Sequence, residues 1–373
     1  MYVAAHSEWI VAKANDLGFD LCGIASIGGL ADPAHLNEWL ERGYAGRMQY
    51  MHDPRRADVT QVLPEAKSVI VCALNYNTHH PVSTEAAAQA AADHKLRGWV
   101  SRYAWGEDYH LVLGKKLEQL VSSMRDYFGG PWQARIYVDT GPVSERLAAQ
   151  QAGLGWLAKN TCLINEKFGS SLFLGVILTS LDLMPSNASS DAPATDLCGN
   201  CRLCLDACPT GALVEPYVMD ARRCIAYLTI ELRESIPTEL RAPMGWQVFG
   251  CDICQDVCPW NRKAPVTSAP FFQPRENLLA PELDWLLSLK QEEFSRIFRS
   301  SPLRRAKWRG LVRNACVAAG NLAGKYASDA PERLHLQKRL SELAMSADPL
   351  VSEHAAWALS RFTSSESNFS RHP

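Results

Sequence analysis

The chain has 373 residues, with 38 Lys+Arg against 40 Asp+Glu for a net charge of −2, and is 47% hydrophobic and 21% charged. Such a composition excludes a disordered or collagen-like chain, and at about 150 residues per domain it allows two or three domains, each with its own core. Twelve cysteines are the one unusual count, and eight of them fall between Cys198 and Cys258; that crowding excludes a small disulfide scaffold, whose cysteines are spread along a short chain.

The first residues, Met1-Tyr2-Val3-Ala4-Ala5-His6, carry neither the basic nor the apolar part of a signal peptide. The most apolar stretch, 171–184, is too short to cross a bilayer. The expectation is a cytoplasmic protein that binds no membrane, in surroundings where clustered cysteines hold metal. In chain order, 3–17 has helical spacing, and 20–25 and 68–75 are apolar, β-rich runs. Residues 108–127 are helical again, and 133–139 and 172–179 read as strands. This alternation predicts an α/β domain over 1–188. The Ser-, Asp-, Ala- and Pro-rich loop 185–196 marks its end. A cysteine-rich domain over 189–265 and a helical region over 266–365 follow, with a disordered tail at 366–373, so the fold class is α+β multidomain. Within the helical region, 311–319 and 350–358 lie 39 residues apart and share Leu-Val followed by an Ala-rich helix. The pair reads either as a HEAT-like repeat or as an ordinary helical hairpin.

The cysteines carry the most specific signal. Cys198-x2-Cys201-x2-Cys204-x3-Cys208-Pro209 is the bacterial ferredoxin run, whose fourth cysteine ligates the other cluster of a pair. The second run is Cys251-x2-Cys254-x3-Cys258-Pro259, but Val248 stands where its first cysteine is due. Cys224 is the only other cysteine in the block and takes that place. Cluster one is then Cys198, Cys201, Cys204 and Cys258; cluster two is Cys208, Cys224, Cys251 and Cys254. Zinc sites favour paired C-x2-C units across a longer loop, a spacing this run does not have. Two [4Fe–4S] clusters make an electron wire fed by an external one-electron donor.

The wire must end in the first region. No G-x-G-x-x-G follows a strand there, so a Rossmann nucleotide site has no support. Asp139 ends a strand in Tyr137-Val138-Asp139-Thr140-Gly141-Pro142 and reads either as a general acid in a pocket or as a turn or cap residue. Gly153-Leu154-Gly155-Trp156 offers close backbone approach to a ligand, or a plain helix end. Asp108 and His110 begin a D-x-H-x-x-G corrinoid motif, but the glycine falls one place late, at Gly114. Cys22, Cys72, Cys162 and Cys316 sit in apolar contexts and are expected to be buried structural thiols. Residues 291–373 hold 13 Lys+Arg and 8 Asp+Glu, a charge of +5 against −7 for the rest. Arg299, Arg304, Arg305, Lys307, Arg309 and Arg313 cluster around Trp308, either as a phosphate-backbone footprint or as a solvated basic face.

The combination resembles the epoxyqueuosine reductase family over nearly the whole chain. The resemblance rests on Tyr103-Ala104-x-Gly106-x-Asp108-Tyr109-His110, on Asp139-x-x-Pro142-Val143-x-Glu145-Arg146, and on Ala152-Gly153-Leu154-Gly155-Trp156 with Lys159-Asn160. It continues through Gly169-Ser170, Phe173-Leu174-Gly175, the cysteine runs, Cys224-Ile225-x-Tyr227-Leu228-Thr229-Ile230-Glu231, Arg313-Asn314 and Pro349-Leu350-Val351. It implies reduction of the epoxide of epoxyqueuosine at the tRNA wobble position, the last step of queuosine formation. It implies a cobalamin in the N-terminal domain and Asp139 as proton donor, which in turn calls for an Asp139 pKa raised toward neutrality. By the same resemblance Tyr103 and Arg146 line the substrate pocket. The corrinoid contacts Asp139, the turn bounded by Ala158 and Leu163, Leu174, Ala226, Cys251 and Asp252. Arg233 and the basic patch of Arg304, Arg305, Lys307, Arg309 and Arg313 grip the anticodon arm. Two positions depart from the family: Trp105 stands where Arg is usual and Ala226 where Ser is usual. A monomer is expected. On residues alone, a reductive dehalogenase-like enzyme and a plain ferredoxin-type carrier remain the other classes.

Overall fold

The computed structural model describes residues 4–30, 32–86, 96–186, 195–325, 327 and 329–364; the tail 366–373 and most of the boundary loop lie outside them. The N-terminal region is built on a four-stranded sheet of β1 (Leu21–Ser26), β2 (Ser68–Asn75), β3 (Ala134–Tyr137) and β4 (Leu172–Thr179), in the order β1-β2-β4-β3. Every neighbouring pair is antiparallel. The expected α/β domain is therefore corrected to an antiparallel α+β layer. Hydrophobic periodicity reports strand against helix and carries no strand direction, so the correction was out of its reach.

Both faces of this sheet are covered. α1 (Ala4–Asp16) and α2 (Tyr109–Phe128) pack on one face through Ile10, Ala14, Leu113, Leu117, Leu120 and Met124 against Ile24, Ile70, Cys72 and Ile177. α3 (Glu145–Gln151) packs on the other through Ala148 and Ala149 against Ala25, Val69, Val71, Val176 and Leu178. Hence all eight residues of β2 are buried and its sequence does not alternate. α2 forms because Asp108 accepts the His110 N–H at its head (3.1 Å) and its leucines recur at helical spacing. Truncating the fully buried Leu117 to Ala costs about 2–5 kcal/mol.

The C-terminal helices are α5 (Lys307–Leu322), α6 (Pro331–Ala344) and α7 (Pro349–Ser364). The two Leu-Val, Ala-rich segments lie in α5 and α7, which cross closely. A Cβ on Gly320 of α5 would stand 2.8 Å from the Trp357 ring and 3.0 Å from the Ala358 backbone. Their core also takes in Trp99, Val100, Ala104, Trp105, Val248 and Phe249. The strand Trp99–Val100 runs parallel to Gln247–Phe249, just ahead of the second cysteine run. The helical region thereby pins the segment leading to Tyr103 and Asp108 against the segment leading to Cys251. Among the described residues no helix is long and apolar enough to cross a membrane.

Candidate active site

None of the eight cysteines of the block is in a disulfide. Burial raises the Cys258 thiol to about 11, with Cys198 and Cys204 as charged neighbours adding to the rise. Burial likewise raises Cys251, beside Cys224 and Cys208. The fold thus brings together Cys198, Cys204 and Cys258 on one side and Cys208, Cys224 and Cys251 on the other, with Cys254 beside Cys251 and Cys224. Backbone N–H groups are aimed at the sulfurs: Leu205 at Cys204, Ala226 and Tyr227 at Cys224, Ile253 at Cys251 and Trp260 at Cys258. The Ala212 N–H donates to Cys208 Sγ at 3.3 Å. Such donors favour thiolates, and Cys224 has them because it caps α4 (Ile225–Ile230). Among the described residues no three His, Cys, Asp or Glu side chains close on a single-ion position. A cubane asks for a wider cage, since its irons and sulfides stand between the thiolates. Val248 is fully buried, its side chain against Gly98, so that position belongs to the core.

Asp139 follows β3 in the left-handed region, at φ 60°. Its side chain is 65% exposed. Tyr109 donates its hydroxyl to Asp139 Oδ2 at 2.9 Å. His110 Nε2 stands 3.6 Å from the same oxygen, while its Nδ1 lies 2.7 Å from Asp108 Oδ1. Glu145 Oε1 accepts the Asp139 N–H at 2.6 Å. Tyr109 is held by stacking on Phe173, with ring centroids 4.4 Å apart. Desolvation by the surrounding protein acts to raise Asp139, but the close approach of His110, the hydrogen bond from Tyr109 and the charges of His110 and Arg146 outweigh it, and its pKa is lowered. This corrects the expectation of a raised Asp139 pKa. Glu145 is raised instead, to about 8, by burial and by the Asp139 charge. Burial opposes protonation of His110, but Asp108 and then Asp139 overcome it and raise its pKa to about 9. At neutral pH the protons therefore rest on His110 and Glu145, and Asp139 is the carboxylate between them.

The remaining expected residues fall into three groups. Tyr103 is half-buried, with Asp139 and Asp252 both among its charged neighbours, so it spans the two halves of the site. Arg146 donates to the Thr161 carbonyl, and Asn160 Nδ2 reaches the Cys254 carbonyl at 3.4 Å. The 158–163 turn thus links α3, the helix that follows the Asp139 turn, to the second cysteine set. Ala158 and Leu163 are buried in it, while Leu174 and Ala226 are half-buried. Asp252 is 4% exposed and accepts from Trp99 Nε1, Ser101 Oγ and the Arg102 N–H at 3.3, 2.5 and 2.7 Å. Cys162 is half-buried beside Cys254, so the expected purely structural thiol adjoins the second set. Trp105 is wholly buried with Nε1 on the Val100 carbonyl at 2.7 Å; its departure from the family sits in the core.

Of the basic residues, Arg233, Arg304 and Lys307 are exposed. Arg305 pairs with both oxygens of Glu231 at 2.8 Å, and Arg309 with Asp348 at 2.5 Å. Arg313 is a correction. It is 0% exposed and donates to the carbonyls of Leu228, Leu232 and Glu234. It ends the basic run 299–313, read as a footprint or a solvated face, but every residue of α5 from Gly310 to Gly320 is buried. Sequence reasoning also missed Tyr50 and Arg56. Tyr50 is 44% exposed, with the Arg56 and Arg305 guanidiniums 5.5 and 6.0 Å from its ring centre and Asp139 among its charged neighbours. The only trace in the sequence is an aromatic among basic residues at 47–56.

The sequence matches the 4Fe-4S double cluster binding domain over residues 197–261 and the epoxyqueuosine reductase QueG family over 56–140. It is 42% identical over 348 residues to the epoxyqueuosine reductase of Pseudomonas aeruginosa, covering 93% of this chain and 91% of the relative. Its fold is similar to an epoxyqueuosine reductase solved with an epoxyqueuosine-modified stem loop of tyrosine tRNA, at TM-score 0.82 and 30% identity, over 98% of this chain and 94% of that one. It is also similar to the Bacillus subtilis enzyme captured with its catalytic aspartate loop swung out of the active site, at TM-score 0.80 and 30% identity, over 95% and 90% of the two chains.

Proposed function

The chain belongs to the epoxyqueuosine reductase family, and from that premise we propose that it reduces epoxyqueuosine in tRNA to queuosine, with Asp139 passing a proton to the departing epoxide oxygen. The observation that carries the site assignment is the accessible Asp139 carboxylate, tied to Tyr109 and His110 and connected through Arg146 and the 158–163 turn to Cys254. Opening the epoxide to an alkene releases one water and consumes two electrons and two protons. Cys198, Cys201, Cys204 and Cys258 would hold one [4Fe–4S] cluster, and Cys208, Cys224, Cys251 and Cys254 the other. The thiol sets and their N–H donors fit this assignment. The 158–163 turn, which mixes the buried Ala158 and Leu163 with the polar Lys159, Asn160 and Thr161, and the half-buried Tyr103, Leu174 and Ala226 would hold cobalamin, which when bound would supply the electrons for opening the epoxide.

The chain's own residues manage the protons. Asp139, ionised in the resting site, takes a proton from His110 across the 3.6 Å gap and presents it to the oxygen, which would otherwise leave as an alkoxide. Asp108 fixes the His110 ring through Nδ1 and keeps Nε2 turned to Asp139. Glu145 holds a second proton beside the Asp139 backbone. Asp252, its oxygens already engaged, acts by fixing Arg102 and Cys251. Tyr103 and Arg146 bound the pocket. Arg233, Arg304, Arg305, Lys307 and Arg309, on a HEAT-like pair and the segment it carries, would meet the anticodon arm. The protein would work as a cytoplasmic monomer fed by an external one-electron donor. Asp139→Asn is the test: conversion of epoxyqueuosine stem loop is lost while iron content and the bound-corrinoid spectrum stay unchanged. Full turnover by Asp139→Asn would remove the carboxylate from the mechanism.

A further inference from the structure

Trp156 opens the short hairpin Trp156–Leu157 with Leu163–Ile164 and is 2% exposed. Among the described residues its buried Nε1–H has no hydrogen-bond partner. An indole N–H left unpaired in a protein interior forfeits about 1–3 kcal/mol, so such a group calls for an acceptor. The hairpin packs against Cys258, with Cys198 and Trp260 at its edge. Trp260 meets the Trp156 ring edge-on, at 5.0 Å and 75°, which fixes the indole plane. The group that the N–H faces is Cys198, whose sulfur also draws on the Lys159 backbone N–H. Lys159 itself is 9% exposed and donates its ammonium to the carbonyls of Gly199 and Cys201. Side chains of the N-terminal domain thus reach both cysteine sets, Asn160 and Cys162 at Cys254 of the second and Trp156 at Cys198 of the first, and of these Trp156 is the buried indole donor.

We infer that the Trp156 indole is a fixed hydrogen-bond donor to the first cluster, directed at the Cys198 sulfur, and that it raises the potential at which this cluster takes its electron. This rests on the reading that Cys198, Cys201, Cys204 and Cys258 hold a cubane. One-electron reduction breaks no bond and adds one negative charge, spread largely over the sulfurs. A donor at a sulfur stabilises the reduced form more than the oxidised one, and hydrogen bonds to sulfur are among the levers that set such potentials. Trp156 is a positioning residue in this role, since it acts through the Cys198 sulfur.

The test uses full-length, cluster-replete protein. Trp156→Phe keeps an aromatic ring against Trp260 and removes the N–H. EPR-monitored redox titration is expected to show the first cluster's midpoint moving negative, by about tenfold in the reduction equilibrium or about 59 mV, with the second midpoint unmoved. No shift, or an equal shift of both clusters, overturns the inference. If the variant loses the first cluster, native protein labelled with 15N at the tryptophan indole answers the same question. Pulsed EPR of its reduced first cluster should show a nitrogen coupling and an exchangeable hydrogen, and absence of both overturns the inference. Protein that assembles no cluster at all overturns the cubane reading and this inference with it, whereas replete protein with an unmoved midpoint overturns the inference alone.

Discussion

Arg313→Ala is expected to damage the fold and leave the electrostatics of tRNA binding alone. The Arg313 guanidinium donates to the carbonyls of Leu228 at 2.5 Å, Leu232 at 2.9 Å and Glu234 at 2.8 Å, and to Asn314 Oδ1 at 2.8 Å. Asn314 in turn ties the carbonyls of Thr229 and Val248. One helix end, one loop and the strand ahead of Cys251 all hang on this pair. Removing the guanidinium orphans buried acceptors at about 1–3 kcal/mol each. Burial pulls Arg313 down to about 9, so its charge is held at a cost, and that cost is recovered on truncation. The net loss is about 2–4 kcal/mol, or about 4–16 °C in Tm at the roughly 2–4 °C per kcal/mol of a domain of about 150–250 residues. Because the orphaned Leu228 carbonyl belongs to α4, which Cys224 caps, the second cluster should be lost before the first. The assay joins thermal unfolding and iron content with the salt dependence of stem-loop affinity. A variant with unchanged Tm and iron, but with its log-log salt slope reduced by about one, would show that Arg313 contacts phosphate and refute this reasoning.

Other perturbations separate the remaining roles. Arg304→Ala, at an exposed position, should leave Tm unmoved and lower the salt slope of stem-loop binding by about one, as fluorescence anisotropy at several salt concentrations would show. Protonated His110 contributes stability that is complete below its ordinary value near 6.5 and is lost as pH rises through about 9; Glu145 adds a loss in the same direction up to about 8. Thermal melts should therefore fall in Tm from pH 6.5 to 9, and His110→Gln should flatten that fall and move the alkaline limb of the rate profile. Cys224→Ser should remove one cluster by iron analysis, and adding Val248→Cys should not restore it, because position 248 faces Gly98. Gly155→Ala would set a Cβ 2.1 Å from the Ile164 carbonyl, open the hairpin that carries Trp156, and lower Tm; an unchanged melt contradicts the close approach.

The double-cluster domain was legible because cubane ligation imposes spacing on the chain itself, and the family match over 197–261 agrees with it; the place given to Cys224 rests on counting and on its position beside Cys208 and Cys251. The strands were legible from apolar runs, but the antiparallel order of β1-β2-β4-β3 was not, since direction depends on connections the runs do not encode. Asp139 was identifiable at a strand end; its lowered pKa was not, because it depends on His110 and Tyr109 arriving from a helix thirty residues earlier in the chain. Arg313 misled for a related reason. Charge density along a sequence does not say which helical face meets a partner helix, and a buried arginine that ties carbonyls looks the same as one on the surface. Tyr50 and Arg56 became visible only when folding set them beside Arg305.

The most direct test is turnover. Cobalamin-loaded, cluster-replete protein is given a chemical reductant and a tRNA stem loop carrying epoxyqueuosine, and the nucleosides are resolved by mass spectrometry. The account predicts loss of one oxygen from the modified nucleoside, yielding queuosine with two electrons consumed per product. Protein with both clusters and bound corrinoid that leaves epoxyqueuosine intact would contradict it.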